Sequence, residues 1–278
     1  MAYDLVVDSS YLNNGLKAIA DGIRQGSGVS GELTFPDGMA EAAAQKSSGM
    51  PEIFEQLVGL GSGFNGVTSL PDTLALDLSF IKSGKCVLHQ TFRGCTSLKN
   101  VTLTIPDGAE LALGLCFYSC FNLKTVTLQG SFAYATTEVF PGASEALGAF
   151  SNCSKLETVN SSKPLGIKYI SNQTLYYNPF YNCAALKEVR FERQVASNDW
   201  VFKWSPVLSD ATLISVANAL TVGSYTLTLH ATAAARCAEI TGTVSDGVFT
   251  ADSGGTTTLT EFITTTKGWS LANGETSN

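Results

Sequence analysis

Several features of catalytic and membrane proteins are missing from this sequence. Only 15% of its 278 residues are charged, and only two are histidines, His89 and His230. It has no phosphate-binding loop, no His-Glu-x-x-His motif, no Cys-x-x-Cys pair and no Gly-x-Ser-x-Gly nucleophile motif. No apolar run reaches the ~20 residues that a transmembrane helix needs. The sequence therefore favours a non-enzymatic protein, and we predict no catalytic residue, no bound metal and no cofactor.

Two features that could indicate a nucleotide or catalytic site have a structural explanation. The pattern Gly-x-Gly-x-x-Gly occurs at residues 26–31 and 61–66. Neither copy lies between a strand and a helix, as the dinucleotide-binding fold requires, so both are predicted to be turns. His89 lies in an apolar-flanked segment and His230 ends a predicted strand, so both are expected to be structural.

Positive charge is also scarce. The net charge is −7 and the isoelectric point about 4.9. An acidic chain without a basic run is poorly suited to bind nucleic acid or an anionic membrane. We therefore predict neither nucleic-acid binding nor membrane insertion.

What the sequence does contain is a repeat with the frame Phe-x-x-Cys-x-x-Leu-x-x-Val. Its copies begin at Phe64, Phe92, Phe117, Phe150 and Phe180, at intervals of 25 to 33 residues. Repeats with periods of 20–50 residues form solenoids and related arrays. The frame therefore predicts a solenoid in which each copy is one coil.

The spacing within each copy predicts its local structure. The Leu-x-x-Val-x-Leu tail ends in alternation, which indicates a short strand with one buried face. The Phe-x-x-Cys part suits a single tight turn that leads into this strand. A second apolar segment precedes the phenylalanine at residues 86–88, 111–115 and 165–170, so we expect two strand or turn walls per coil.

The seven cysteines are predicted to be structural. Cys95, Cys120, Cys153 and Cys183 occupy the same position of the frame, and Val67 fills that position in the first copy. A position that accepts valine requires a small apolar group rather than a metal ligand. A row of thiols along a solenoid also differs from the tetrahedron that zinc needs.

Polar residues that point away from the core define the candidate binding surface. The strand positions are expected to expose a ladder of polar and charged side chains: Lys99, Thr102, Lys124, Thr127, Glu157, Asn160, Lys187 and Arg190. One interpretation is a solvated sheet face. The other is a recognition surface of the kind that solenoids present to partners.

Two aromatic segments extend this candidate surface. The longest interval contains residues 129–146, an insertion that would present Phe132, Tyr134 and Phe140 or fold them over the apolar wall. Tyr176 and Tyr177 could add to the same surface. The segment 199–205, DWVFKWS, either plugs the junction with the C-terminal part or provides a contact for a glycan or protein.

The two ends of the chain depart from the repeat. We predict helices at residues 11–25 and 39–46, in an N-terminal module of residues 1–48 that either docks to a partner or caps the array. The solenoid is assigned to residues 49–205. Residues 206–278 are predicted to form α/β capping coils, with helices at 210–220, 231–240 and 257–266, strands at 225–230 and 269–271, and a hairpin at 243–251.

The repeat frame resembles the BspA-like leucine-rich repeat, which occurs in bacterial surface proteins and in proteins that phages encode. The resemblance implies an α/β solenoid. The string LKAIADGIRQGSGVSGELTFPDGMAEA, residues 16–42, resembles a small module of phage and prophage tail-associated proteins, and LTLHAT and TTKGWSLA resemble the end of the same repeat proteins.

These resemblances imply a function. The chain would be a phage or prophage tail-associated accessory protein whose solenoid binds a protein or glycan on a host or bacterial surface, with the N-terminal module docked to the virion. The alternative is a bacterial cell-surface adhesin. Because the chain begins without a signal peptide, we expect it to remain in the cytoplasm until release and to act outside the cell.

Overall fold

A computed structural model describes residues 59–81, 84–135, 148–167, 170 and 178–274 of the chain. The predicted N-terminal helices at 11–25 and 39–46 lie outside these residues, as do Phe140, Tyr176 and Tyr177. Within the described part of the chain, no helix combines the length and apolar character needed to cross a bilayer.

The Leu-x-x-Val-x-Leu tails form one parallel sheet, as predicted. Its four strands pair in sequence order: β1 (Thr73–Asp77), β3 (Asn100–Thr104), β5 (Thr125–Gln129) and β7 (Thr158–Ser161). Equivalent positions of the repeat face each other, so that Leu74, Val101, Val126 and Val159 lie in one row. These side chains are buried while their neighbours along each strand are more exposed. The alternation in the sequence is therefore the alternation of one buried face.

A second wall of each coil is also formed by short parallel strands. It contains β2 (Lys85–Val87), β4 (Glu110–Ala112) and β6 (Ala133–Tyr134), each paired with the next. The expectation of two walls per coil is confirmed for these coils. A further parallel sheet joins β8 (Trp200–Phe202), β9 (Thr226–His230) and β13 (Ser270–Gly274) at the C-terminal end.

The phenylalanines that begin each copy are stacked in a column through the core. The centroids of successive rings are 5.4, 5.3, 5.7 and 5.6 Å apart from Phe64 to Phe180, and the ring planes differ by at most 15°. Every ring is at most 4% exposed. Offset stacks at such distances add to the stabilisation that burial provides. The column therefore fixes the step from one coil to the next.

Two residues after each phenylalanine the backbone is left-handed. The residues at this position have φ between 54° and 76°: Gly66, Gly94, Ser119, Asn152 and Asn182. Glycine adopts this conformation without strain, and asparagine does so more readily than most residues. At the first four copies the N–H here donates to a carbonyl of the next turn, for example Gly94 to Tyr118 at 2.8 Å. The sequence thus carries a second repeated signal that the frame alone does not include.

The repeated cysteines are buried, as predicted, and also donate hydrogen bonds. The Sγ of Cys95, Cys120, Cys153 and Cys183 lies 2.9–3.1 Å from the phenylalanine carbonyl oxygen of the preceding copy. Val67 occupies this position in the first copy, where no earlier phenylalanine of the frame exists. The position therefore holds more than an apolar group, because its thiol joins adjacent coils.

The repeat has a sixth copy that the cysteine frame misses. Phe202, Ser205 and Leu208 follow the same spacing, with serine in place of cysteine. The Phe202 ring stacks on Phe180 at 5.8 Å, and Ser205 N–H donates to the Phe202 carbonyl as each cysteine does in its own copy. The tryptophan-rich segment predicted as a plug or contact site therefore belongs largely to a coil. Trp200 in β8 is buried at 0% exposure.

Helix α1 (Asp210–Ala219) takes the place of the strand in this last copy. Ser209 caps it by accepting from the Thr212 N–H, as the sequence predicts. Thr212 Oγ1 accepts from the Val189 N–H at 3.1 Å, and Ser215 Oγ accepts from the Phe191 N–H at 2.8 Å. Helix side chains thus satisfy backbone donors that another strand would have bound, and the sheet ends there.

The helices and strands of the C-terminal part follow the predicted order with some changes in length. The elements after β9 are α2 (Ala231–Cys237), β10 (Thr241–Ser245), β11 (Val248–Ala251), β12 (Thr257–Thr258), α3 (Leu259–Glu261), a π-helical turn (Phe262–Thr266) and β13. The hairpin is confirmed, with Asp246 and Gly247 at its tip. Helix α2 ends three residues before the predicted end at 240. The predicted helix 257–266 begins with the two-residue strand β12, and its helical part starts at Leu259, after the N-cap Thr258.

We predict that the phenylalanine column dominates the stability of the solenoid. Phe117→Ala should lower the free energy of unfolding by about 3–5 kcal/mol, because it leaves a cavity between Phe92 and Phe150. Phe121→Ala is the matched control, since this ring lies four residues away and is 48% exposed. Urea denaturation should show a loss below about 1 kcal/mol for the control. Equal losses would contradict a stabilising column.

A second prediction concerns the sheet end at α1. Thr212→Val keeps the shape of the side chain but leaves the Val189 N–H without its acceptor, which should cost about 1–3 kcal/mol. Thr243→Val, on the exposed side of β10, is the control and should change the free energy of unfolding by no more than about 0.5 kcal/mol. Thermal and urea denaturation of both variants would measure the difference. A neutral Thr212 variant would show that the helix does not close the sheet through this bond.

The buried thiols should make stability depend on alkaline pH. Burial raises the pKa of Cys86, Cys95 and Cys237 to about 12, and raises the pKa of Cys116 and Cys153 well above the ordinary value. Thiols of the unfolded chain ionise at about pH 8.5. Above this pH the folded state therefore retains thiol protons that the unfolded state has lost. The free energy of unfolding should therefore fall above this pH by about 1.4 kcal/mol per pH unit for each such thiol.

Urea denaturation at several pH values between neutrality and the alkaline range, in reductant, measures this slope. Cys237→Ala removes one thiol and should reduce the slope by the share of one group. A slope unchanged by that substitution would show that other groups cause the alkaline loss.

Candidate binding surface

The outer face of the four-stranded sheet consists of aligned rows of small polar residues. Thr102 of β3 pairs with Thr127 of β5, and Thr127 pairs with Asn160 of β7. Thr102 and Thr127 are half-buried and Asn160 is exposed. Because the strands are parallel and in register, equivalent side chains of successive copies lie side by side. The face is thus a regular, mostly uncharged polar surface.

One edge of this face carries charge. The backbone N–H of Lys99 donates to the Asp72 carbonyl and that of Lys124 to the Lys99 carbonyl, which places these residues in one row. Glu157 and Lys187 continue it through the same type of bond. Lys99 Nζ lies 2.5 Å from an Asp72 carboxylate oxygen, and both side chains are about half exposed or more. An exposed pair of this kind contributes little to stability, so its charges are available to a partner.

The predicted residues of the fifth copy, Lys187 and Arg190, lie at the same face, where the sheet gives way to α1. Lys187 and Arg190 are both exposed. Between them, Glu188 forms an isolated parallel bridge with Thr158 and accepts a hydrogen bond from Ser209 Oγ at 2.9 Å. The structure therefore brings together seven of the predicted site residues on one face: Lys99, Thr102, Lys124, Thr127, Asn160, Lys187 and Arg190.

The predicted aromatic residues do not join this surface. Phe132 is 5% and Tyr134 is 8% exposed, and their rings pack edge to face with centroids 5.4 Å apart. The Tyr134 hydroxyl reaches Ser161 Oγ at 3.0 Å, and burial raises its pKa well above the ordinary value. Their assignment to an exposed surface is wrong, because they complete the apolar wall at β6. Of the other aromatic candidates, Phe140, Tyr176 and Tyr177 lie outside the described residues.

The two histidines occupy structural positions. His230 ends β9 and caps α2, where Nδ1 accepts from the Thr232 N–H at 3.2 Å. His89 is half-buried, its Nε2 lies 2.9 Å from Gln90 Nε2, and burial lowers its pKa. Among the residues that the structure describes, no three His, Cys, Asp or Glu side chains lie together as a metal site would require.

A second surface was predicted from the sequence only in part, because residues 199–205 were one candidate contact for a glycan or protein. At the turns of the coils, the Arg93 guanidinium lies 5.1 Å from the centre of the Tyr118 ring, and Lys203 Nζ lies 4.8 Å from that of Trp204. Tyr181 packs against Trp204 with centroids 4.3 Å apart. The sequence offered one signal for this surface, the residue that directly follows each phenylalanine of the frame. In four copies this residue is cationic or aromatic: Arg93, Tyr118, Tyr181 and Lys203.

Comparison with known proteins identifies the repeat. The family described as BspA type leucine rich repeat region (6 copies) matches residues 75–208 and, in an overlapping match, residues 146–228. Together the matches span 75–228, which is more than half of the chain. No curated protein and no solved structure matches the chain.

Proposed function

This chain belongs to the BspA-type leucine-rich repeat family, and we propose that it is a non-enzymatic protein that uses its sheet face to bind a protein on a bacterial surface. The main support for this proposal is the aligned face of β1, β3, β5 and β7, with its rows of threonine and asparagine and its charged edge. Solenoids of stacked repeats commonly use an extended sheet face for recognition.

A protein partner fits this face better than a glycan. The described strands present threonine, asparagine, alanine and charged side chains there, whereas sugar rings pack well on aromatic side chains. The edge carries charges of both signs along Asp72, Lys99, Lys124, Glu157 and Lys187. Charges of both signs in fixed positions favour a partner with complementary charges of both signs, which improves the rate and specificity of association.

The setting that we propose is a phage or prophage tail, with the chain as an accessory protein. This part of the proposal rests on the resemblance of residues 16–42 to a module of tail-associated proteins. In this view the N-terminal module attaches the chain to the particle and the solenoid faces the bacterium. A cell-surface adhesin, with a host protein as its partner, is the alternative that the same repeat type supports.

We predict that substitutions on the sheet face weaken cell binding. Fluorescently labelled full-length protein would be incubated with intact cells of the bacterium whose genome carries the gene, and bound fluorescence measured by flow cytometry. The double variant Thr102→Arg/Thr127→Arg places two bulky charges in neighbouring positions of the face. Its apparent Kd should rise about tenfold or more, which corresponds to a loss of about 1.4 kcal/mol.

The matched control is Thr243→Arg/Thr250→Arg, also a cross-strand pair, on the exposed hairpin of the C-terminal part. It should bind within twofold of the wild type. Protease treatment of the cells should abolish binding of the wild type. Binding that survives protease, or a face variant that binds normally, would overturn the proposal. Binding to immobilised extracellular-matrix proteins instead of bacterial cells would support the adhesin.

A further inference from the structure

The six turns of the solenoid differ in charge from the rest of the protein. We define the turn strip as the six segments that run from each phenylalanine of the frame to the leucine six residues later: 64–70, 92–98, 117–123, 150–156, 180–186 and 202–208. These segments contain three cations, Arg93, Lys155 and Lys203, and no Asp or Glu. The whole chain has a net charge of −7. The turn strip is therefore a local surface that favours anions on an acidic protein.

Aromatic rings accompany these cations. Besides the buried phenylalanine column, the turn strip carries Tyr118, Phe121, Tyr181 and Trp204. Phe121 is 48% exposed, and the other three are half-buried. Arg93 lies over the ring of Tyr118 and Lys203 over that of Trp204. Arg93 and Lys203 are thus held beside aromatic rings, so that one ligand could contact a cation and a ring together, while Lys155 Nζ donates to Asn122 Oδ1 at 2.8 Å.

The spacing of the strip is set by the core. Successive phenylalanine rings from Phe64 to Phe202 are 5.3 to 5.8 Å apart, and backbone hydrogen bonds such as Gly94 N–H to the Tyr118 carbonyl join neighbouring turns, so successive turns lie about 5 Å apart. The position after each phenylalanine reads Arg93, Tyr118, Ser151, Tyr181 and Lys203 from the second to the sixth copy. This step is close to the length of one sugar residue in an extended polysaccharide.

We propose that the turn strip binds an acidic polysaccharide along the solenoid axis. The apolar face of a sugar ring packs against Tyr181, Trp204 or Tyr118, and carboxylates of neighbouring sugars pair with Lys203, Lys155 or Arg93. A polymer that carries both groups in each unit uses both features of the strip. This site is separate from the sheet face and does not depend on the function proposed for it.

Other anionic polymers fit the strip less well. Nucleic acid carries a dense phosphate charge, and three cations on a chain of net charge −7 provide little of the counterion release on which such binding depends. A membrane surface would require a longer basic cluster than three residues spread over five copies. An acidic peptide could pair with the cations but would leave the aromatic faces unused.

The test uses full-length protein and immobilised polygalacturonate, a polysaccharide with one carboxylate on each sugar, in biolayer interferometry at low salt. The wild type should bind, and binding should weaken as salt is raised. Lys203→Glu should raise the apparent Kd at least tenfold, and so should Trp204→Ala. Lys155→Glu changes an exposed residue and gives a second charge variant if Trp204→Ala fails to fold.

Lys124→Glu is the matched control, because it makes the same change in net charge on the sheet face rather than on the strip. It should bind polygalacturonate within twofold of the wild type. An equal loss in Lys124→Glu and Lys203→Glu would show that only net charge matters and would overturn the proposal.

Competitors in solution separate the other ligand classes. Polyglutamate, single-stranded oligothymidylate, anionic phospholipid vesicles and neutral dextran should each compete poorly with immobilised polygalacturonate. Effective competition by any of them, or a wild type that does not bind polygalacturonate, would overturn the proposal. Normal cell binding by Lys203→Glu in the preceding assay would be expected, since that assay depends on the sheet face.

Discussion

The column of stacked phenylalanines is the contact on which the rest of the solenoid depends. Its ring centroids are 5.3–5.8 Å apart from Phe64 to Phe202. This separation is slightly longer than the ~4.8 Å between hydrogen-bonded strands, so ring stacking and strand pairing must be compatible in every coil. The cysteine thiols bond across the same step, each to the phenylalanine carbonyl of the copy before it. A coil is therefore held at three places, by a ring, a thiol and a strand.

This arrangement explains why the buried positions keep the same residue types from copy to copy, while the exposed positions vary. A change of size at the ring or the thiol would alter the step for both neighbouring coils, because packed interiors tolerate little change in volume. The outward positions have no such constraint. The residue after the phenylalanine is Arg93 in one copy and Tyr118 in the next, although both follow the same buried ring. Recognition can therefore vary on the outside of a fixed core.

Much of the fold could be predicted from the sequence, because the residues that make each internal contact recur in several copies of the repeat. The strands, the buried cysteines, the Ser209 cap and the hairpin at Asp246 and Gly247 all follow from local patterns. The sixth copy escaped because Ser205 replaces the cysteine that defined the frame. Phe132 and Tyr134 were misassigned for a different reason. They lie in an insertion, which has no periodicity that would indicate burial. The packing of Phe132 and Tyr134 also depends on β4, some twenty residues earlier in the chain.

The candidate site shows the same division between local and distant information. Alternation along β3, β5 and β7 indicated that Thr102, Thr127 and Asn160 point outward, since a strand exposes every second side chain. The turn strip required knowledge of which turns lie side by side. Tyr181 and Trp204 are separated by more than twenty residues, yet their rings are 4.3 Å apart, and Lys203 covers the same indole. Such a surface can be found in a repeat sequence by aligning the copies on their buried phenylalanine. The exposed residues at each aligned position are then compared for charge. In this chain the buried positions of the repeat specify the solenoid, while the exposed positions form a polar sheet face with a charged edge and a cationic, aromatic strip of turns.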